Sequence, residues 1–155
     1  MGFKIEGLVA EKTLLEKIVE GLSTPKIVDL ADGLFIIPLT RALKDEAAGE
    51  PAFEGLSIPE PLAEKAKAAS ENGAVGYIEG DYPQSCNHQG AVLWTKGALS
   101  FGPEIDDTAW DPRETNEDRP VNKVFRTLGL SAAGFDDEWD AAGLTRHHDT
   151  EEWVS

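Results

Sequence analysis

The chain has 155 residues, and its 29 acidic residues against 14 Lys and Arg give a formal net charge of −15 at pH 7. A field of this sign repels phosphate backbones and anionic lipid surfaces, so we expect neither a nucleic acid nor a membrane among its partners. The length suits a single domain over 1–155, with a core that needs no metal or disulfide.

The cysteine content and the first residues bear on the compartment. Cys86 is the one cysteine, so no internal disulfide can form, which fits a reducing cytosol. Charges recur through residues 1–20, where a signal peptide needs an uninterrupted apolar run, and no run of about 18 apolar residues occurs. The sequence therefore predicts a soluble cytoplasmic protein.

The N-terminal part predicts a strand and then a helix. Residues 3–9 have the composition of a strand. Within 11–22, Leu14, Ile18 and Leu22 recur at helical spacing, with Glu and Lys between them. A helix of this pattern buries its apolar stripe, so we expect it to pack on a sheet.

Residues 25–39 predict a β-hairpin. Asp32 and Gly33 separate two apolar runs, and an Asp-Gly pair suits the positive φ angles of a tight turn. Pro38 cannot donate to a strand ladder, which places it at a strand end or on an edge strand. Residues 40–48 follow as a short helix or a loosely structured turn.

A second helix is predicted over 58–71, and three strands follow it. Ser57 and Glu60 have the spacing of a capping box, in which each side chain binds the other residue's backbone N–H. Gly76 and Gly80 share one strand face, which indicates a bulge or the close approach of another backbone. The three strands are predicted over 74–82, 90–95 and 98–101, with a tight turn at Lys96-Gly97.

The last third of the chain is more acidic. Residues 103–118 hold seven carboxylates, two prolines and no periodicity, which predicts an irregular acidic loop. Pro120 begins a helix over 120–128, a short helix over 135–142 comes next, and 145–155 forms a polar tail.

Together these elements predict an α+β fold. We expect a two-layer domain with a five- to six-stranded, largely antiparallel sheet. Its three main helices, over 11–22, 58–71 and 120–128, are expected to pack mostly on one face.

Four residues in the middle of the chain are candidates for catalysis. Cys86 and His88 lie two apart in a loop between strands, and a thiolate stabilised by an imidazole is the nucleophile of thiol catalysis. Glu79 and Asp81 share one strand face about 6–7 Å apart, where two carboxylates can face a substrate. The Cys–His pair has no identifiable orienting group, and no environment that would raise a carboxyl pKa is visible around Glu79 and Asp81, so a polar loop and a wet sheet face are the favoured interpretations.

Metal sites and common catalytic motifs find little support in the sequence. His88, His147, His148 and Cys86 lack the paired spacing of zinc ligands, and the acidic loop lacks the calcium-loop pattern. The motifs GxGxxG, GxxxxGK[ST], GxSxG and HExxH are absent. We therefore expect no metal and no cofactor, and the sequence leans away from an enzyme.

Two acidic runs, 104–118 and 136–152, hold seven carboxylates each and have tryptophans within or beside them. Tryptophan supplies contact area and carboxylates steer a cation, so the pattern is typical of a binding surface for a basic protein. The alternative is that the tryptophans are core anchors beneath a charged surface. The predicted binding residues are Asp106, Asp107, Trp110, Asp111, Asp137, Glu138, Trp139 and Trp153.

Three functional hypotheses follow. The leading one is an acidic protein-binding module, of the type of an immunity protein that inhibits a basic toxin or enzyme. The second is a small enzyme or ligand-binding domain with a pocket near the Cys86–His88 loop, favoured if Glu79, Asp81, Cys86 and His88 line a concave pocket. The third is a structural subunit of a homo-oligomer.

Overall fold

The computed structural model describes residues 4–81, 88–107, 119–135 and 137–154. These residues form a six-stranded antiparallel sheet with helices, and the predicted α+β class is confirmed. Within the same ranges, no helix has the length and apolar character needed to cross a bilayer.

The sheet runs in the order β2-β3-β1-β4-β5-β6, so β1 and β4 are central and β6 forms one edge. Its strands are β1 Lys4–Glu11, β2 Val28–Asp29, β3 Leu34–Pro38, β4 Val75–Asp81, β5 His88–Thr95 and β6 Ala98–Asp106. The α-helices of the described residues are α1 Lys12–Val19, α2 Arg41–Ala47, α3 Glu60–Ala69, α4 Pro120–Thr127 and α5 Glu138–Ala141.

Both predicted tight turns are confirmed. Asp32 and Gly33 have φ angles of 53° and 81° between β2 and β3, as the turn chemistry requires. Lys96 and Gly97 have φ angles of 53° and 75° between β5 and β6. Pro38 is the last residue of β3, where its missing N–H costs no ladder hydrogen bond.

Both faces of the sheet are covered by helices. Leu8 and Tyr77 belong to a core with the apolar residues of α1, α2 and α3, whereas the neighbouring Val9 and Ile78 pack with α4 and α5. This division follows from the alternation of side chains along each strand. Two of the three predicted main helices therefore lie on one face, and α4 lies on the other.

Gly76 and Gly80 in β4 allow this second layer to approach closely. A Cβ atom at Gly76 would lie 2.5 Å from Val124 of α4, and one at Gly80 would lie 2.5 Å from Trp139 of α5. The close approach expected at these glycines is therefore made by helix side chains packed on the strand, not by another backbone.

The predicted capping box at Ser57 and Glu60 is wrong. The helix α3 begins at Glu60, with Pro59 as the preceding residue, and no side chain caps it. The backbone N–H of Ser57 instead donates to the carboxylate of Glu79 on β4, at 2.8 Å. A buried carboxylate competes well for a nearby N–H, because charge-assisted hydrogen bonds are the stronger kind.

The strand β6 is longer than the sequence predicts. It continues to Asp106, with Glu104 opposite Ala91 and Ile105 opposite Gly90. The predicted acidic loop is therefore wrong for 103–106, because β5 already begins at His88 and offers these residues a partner strand. Residues 108–118 of that loop lie outside the described ranges.

The predicted polar tail over 145–155 is docked on the sheet where it is described. The backbone N–H of Lys4 donates to the carbonyl of His148 at 2.9 Å, and the Thr150 hydroxyl donates to the carbonyl of Lys4 at 3.3 Å. A 3₁₀ helix over Thr150–Val154 buries Trp153 against the α4–α5 face. One buried aromatic side chain is enough to fix this otherwise polar segment.

Candidate functional site

The strands β4 and β5 bring two of the four predicted catalytic residues together. Asp81 lies opposite His88 and Glu79 lies opposite Gly90, so Glu79 and His88 are diagonal neighbours on one face. Gly90 leaves room for the Glu79 side chain, whose Cγ would lie 3.2 Å from a Cβ atom at that position. We call Tyr77, Glu79, His88 and Asp107 the Glu79 cluster.

Both carboxylate oxygens of the buried Glu79 have hydrogen-bond partners. The Oε1 atom accepts from the Ser57 N–H at 2.8 Å and from the Tyr77 hydroxyl at 2.7 Å. The Oε2 atom lies 2.7 Å from Nε2 of His88. These three bonds replace the water that burial removes from the carboxylate.

The imidazole of His88 is held between two carboxylates. Its Nε2 atom faces Glu79, and its Nδ1 atom hydrogen-bonds to Oδ1 of Asp107. Partial burial opposes a charge on the ring, but the hydrogen bonds to Asp107 and Glu79 outweigh burial and raise the pKa of His88 above its ordinary 6.5. When the ring is protonated, both of its nitrogens donate to these carboxylates, which accept.

Tyr77 is fully buried beneath the cluster and serves as a donor. Burial, followed by the charges of Glu79 and Glu6, raises the pKa of Tyr77 well above 10.0. Glu6 lies opposite Glu79 on β1, and Nζ of Lys44 lies 2.9 Å from its carboxylate. The phenol therefore keeps its proton, and Lys44 offsets the second buried carboxylate.

This arrangement bonds Glu79 and His88, the two candidate catalytic residues that it brings together, to one another and to their neighbours. The protonated ring of His88 donates with both nitrogens, and both oxygens of Glu79 already accept hydrogen bonds. Asp81 is exposed at the end of β4, and Cys86 lies outside the described residues. General acid–base chemistry needs a group that can exchange its proton with a substrate. Among the described residues, the cluster instead joins β4, β5, the end of β6 and the segment before α3.

The sequence missed several partners in this cluster. Tyr77 and Glu79 share a strand face by simple alternation, so their contact was visible in the pattern. The bond from Ser57 and the contact between His88 and Asp107 were not, because they depend on how a loop and the extended end of β6 pack. Asp107 was predicted only as a binding residue.

Of the predicted acidic binding residues, those that are described mostly have partners within the chain. Arg119 Nη1 lies 3.2 Å from Asp106, and Arg126 Nε lies 2.9 Å from Glu138. Asp137 caps α5 by accepting from the backbone N–H of Asp140 at 2.9 Å. These carboxylates stabilise the fold, while Asp107, 69% exposed, contacts His88.

Two of the predicted binding tryptophans are core residues. Trp139 is 6% exposed and Trp153 is 5% exposed, both within the core on the α4–α5 face. The alternative reading, in which they anchor the core beneath a charged surface, fits this burial, and they offer no aromatic surface to a partner. The Nε1 atom of Trp153 is buried without a hydrogen-bond partner among the described residues. Trp110 and Asp111 lie outside the described ranges.

A first cavity, of about 340 Å³, lies beside β1 and is lined by charges of both signs. It includes Glu6, which is paired with Lys44, and Glu151, which accepts from the backbone N–H of Arg41 at 3.0 Å. Neither Glu79 nor His88 lines it. The predicted pocket of catalytic candidates is therefore not this cavity.

A second cavity, of about 320 Å³, opens between α3 and the β5–β6 hairpin. We call it the α3–β6 groove. Its floor includes Phe53 and Trp94, whose ring centroids are 6.3 Å apart, and Leu99 of the edge strand is 45% exposed beside it. Its lining is completed by charged residues of α3 and by small residues, namely Ala52, Glu60, Ala63, Glu64 and Lys67.

Within the described ranges, no group of three or more His, Cys, Asp or Glu side chains is arranged to hold a metal ion. The Glu79 cluster, which contains two carboxylates and an imidazole, is an example. Glu79 and Asp107 contact opposite nitrogens of one imidazole, so the three side chains cannot converge on a single ion.

Comparison of the chain with protein-family models, with curated proteins and with solved structures finds no match in any of the three. Functional assignment therefore depends on the chemistry of the residues described above.

Proposed function

We propose that the protein is an acidic protein-binding module, and that it captures a basic protein in the manner of an immunity-type inhibitor of a toxin or enzyme. The observation that carries the proposal is the net charge of −15. A charge of this size speeds encounter with a basic partner by electrostatic steering and disfavours anionic ligands.

The distribution of charge on α2, α3 and their connection supports this proposal. Six acidic residues and no Lys, Arg or His occur between Lys44 and Lys65. Glu50, Glu54 and Glu64 of this segment are exposed. Exposed carboxylates on one continuous segment offer a cationic protein several contacts at once.

The enzyme alternative draws less support from the described residues. Glu79 and His88 bind one another and their neighbours, and they line neither of the two cavities described above. A catalytic base needs access to a substrate as well as a suitable pKa. The binding proposal requires no such access.

The test is affinity capture from a lysate of the native host at low and at moderate salt. We expect a protein with a strongly basic isoelectric point to be retained at low salt and more weakly at moderate salt, because exposed charge pairs are screened. Mixing the purified partner with this protein should then give a defined stoichiometric complex in which the partner's activity is inhibited.

An unrelated acidic protein of similar size and charge serves as the control bait. A partner captured equally by both baits reflects ion exchange, not specific binding. Recovery of no basic protein at either salt concentration contradicts the proposal.

A further inference from the structure

The α3–β6 groove is lined by two carboxylates without an internal partner. Glu60 and Glu64 are exposed and one helical turn apart on α3. Among the described residues, neither side chain forms an ion pair or a hydrogen bond. This distinguishes them from Glu79, Asp106 and Glu138, whose charges are already paired.

The floor of the groove is apolar and aromatic. Phe53 is half-buried and is the ring that a ligand can reach, and Trp94, 3% exposed, contributes only its edge beside Phe53. The exposed Leu99 lies opposite Trp94 in the β5–β6 pairing. Aromatic rings attract cations through the negative charge of their faces, and apolar side chains pack on a hydrocarbon stem. The volume of about 320 Å³ is at the lower end of the range for ligand pockets, which suits one long side chain.

A ligand side chain that packs on the apolar floor and also pairs with the carboxylates of the rim must carry a positive charge on an aliphatic stem. Arginine fits better than lysine, because its planar guanidinium stacks on aromatic rings and donates to two carboxylates at once. Lys67 also lines the groove and follows Glu64 by about one turn of α3, so the rim carries two carboxylates toward the N-terminus of the helix and one positive charge after them.

We propose that the α3–β6 groove binds an arginine side chain of the basic partner, with its stem on Leu99 and the aromatic floor and its guanidinium beside Glu60 and Glu64. This inference rests on the proposed function and names its point of contact. Charge complementarity selects the occupant, because the surplus of carboxylates disfavours an acidic segment and the two open carboxylates favour a cation.

The first experiment is NMR mapping of a probe peptide, acetyl-Gly-Arg-Gly-amide, on the isotope-labelled full chain. We expect the shift changes to concentrate on Phe53, Glu64, Leu99 and the side-chain N–H of Trp94. The matched peptide with Gln in place of Arg should bind at least fivefold more weakly, because it lacks the charge. Shift changes spread evenly over all exposed carboxylate-bearing segments contradict the inference.

Substitutions of opposite sign test the electrostatics without disturbing the core. The double variant Glu60→Gln/Glu64→Gln should weaken peptide binding about fivefold, and Lys67→Gln should strengthen it about twofold, since exposed charge pairs are worth little each. All three residues are exposed, so the fold tolerates the changes. Equal affinity for all variants contradicts the inference.

The matched control is Glu16→Gln/Glu20→Gln. These two carboxylates are exposed with the same spacing near α1 and lie outside the groove. Their replacement removes two negative charges, as the groove variant does. We expect less than a twofold change in affinity. A fivefold loss in this control would show that total charge, not the groove, binds the peptide, and would overturn the inference.

The same variants separate this inference from the proposed function. If the captured basic partner binds the Glu60→Gln/Glu64→Gln variant as tightly as the original chain, the groove is not the contact and the binding module still stands. If no basic partner exists but the peptide maps to the groove, the proposed function fails and the arginine site stands.

Discussion

The Glu79 cluster and the α3–β6 groove lie on the same face of the sheet. They differ in their carboxylates, which are hydrogen-bonded within the chain in the cluster and exposed without such partners in the groove. Ser57, Tyr77 and His88 occupy both oxygens of Glu79. Glu60 and Glu64 have no such partner within the described residues. A carboxylate satisfied by its own chain stabilises the fold, whereas one left open to solvent is available for recognition.

The largest expected effect is at Glu79, where the comparison predicts a structural role. Glu79→Gln removes the charge that accepts from Ser57, Tyr77 and His88, so a buried amide must face donors on both sides. We expect a loss of about 3 kcal/mol in the free energy of unfolding, measured by urea denaturation. Glu64→Gln is the control, with an expected change within about 0.5 kcal/mol. Similar small losses in both variants would contradict the distinction between the two regions.

Tyr77→Phe removes one donor from the same carboxylate and leaves the packing volume nearly unchanged. We expect a loss of about 1–2 kcal/mol, because a buried hydrogen bond to a charged group disappears. Combined with Glu79→Gln, the losses should be less than additive, since both changes remove the same bond. Full additivity in the urea midpoints would mean that the two side chains act independently.

His88 should make stability depend on pH. Its pKa is raised in the folded state, so its contribution is fully present below the ordinary value of 6.5 and is lost as pH rises through the folded pKa. The difference in unfolding free energy between the original chain and His88→Gln should be about 1 kcal/mol at low pH and should decrease to nearly zero at high pH. Urea denaturation from about pH 5.5 to about pH 9 measures it. A constant difference would mean that His88 contributes only by packing.

Glu46 sharpens the comparison, because it is exposed and yet has internal partners. The Thr24 hydroxyl donates to it at 2.6 Å, and with the backbone N–H groups of Ser23 and Thr24 it lowers the pKa of Glu46 from 4.5 to about 2. Its contribution to stability is therefore present above 4.5 and lost as pH falls through about 2. NMR titration of the carboxyl carbon should give that midpoint, and Thr24→Val should raise it. A midpoint of 4.5 in the original chain would show that Ser23 and Thr24 do not hold the carboxylate.

The sequence predicted the fold well where local chemistry is decisive. The pairs Asp32-Gly33 and Lys96-Gly97 predicted the two tight turns, and the apolar stripe containing Leu14 and Ile18 predicted helix α1. It did not predict that 103–106 continue β6, because that depends on pairing with a strand distant in sequence. The sequence also did not decide whether Trp139 and Trp153 are core or interface residues, because acidic neighbours in the sequence do not determine whether a ring is buried.

The contacts of the candidate sites were also predictable only where they depend on local sequence. Glu79 lies on a predicted strand, but His88 was predicted in the loop before the next strand, and the two meet because β5 begins at His88. The closure of their hydrogen bonds by Ser57 and Asp107 did not follow from the sequence, since both partners come from the ends of elements whose boundaries were wrong. The groove brings Phe53 from a predicted loop to Trp94 of β5, which required knowledge of the tertiary packing.

The most direct measurement compares the affinity of acetyl-Gly-Arg-Gly-amide for two variants that each alter one region. We predict that Glu60→Gln/Glu64→Gln weakens binding about fivefold and that His88→Gln leaves it within about twofold, because the carboxylates of the groove are open to a ligand and those around His88 are already hydrogen-bonded. Unchanged affinity in the groove variant, together with a loss in His88→Gln, would contradict the account.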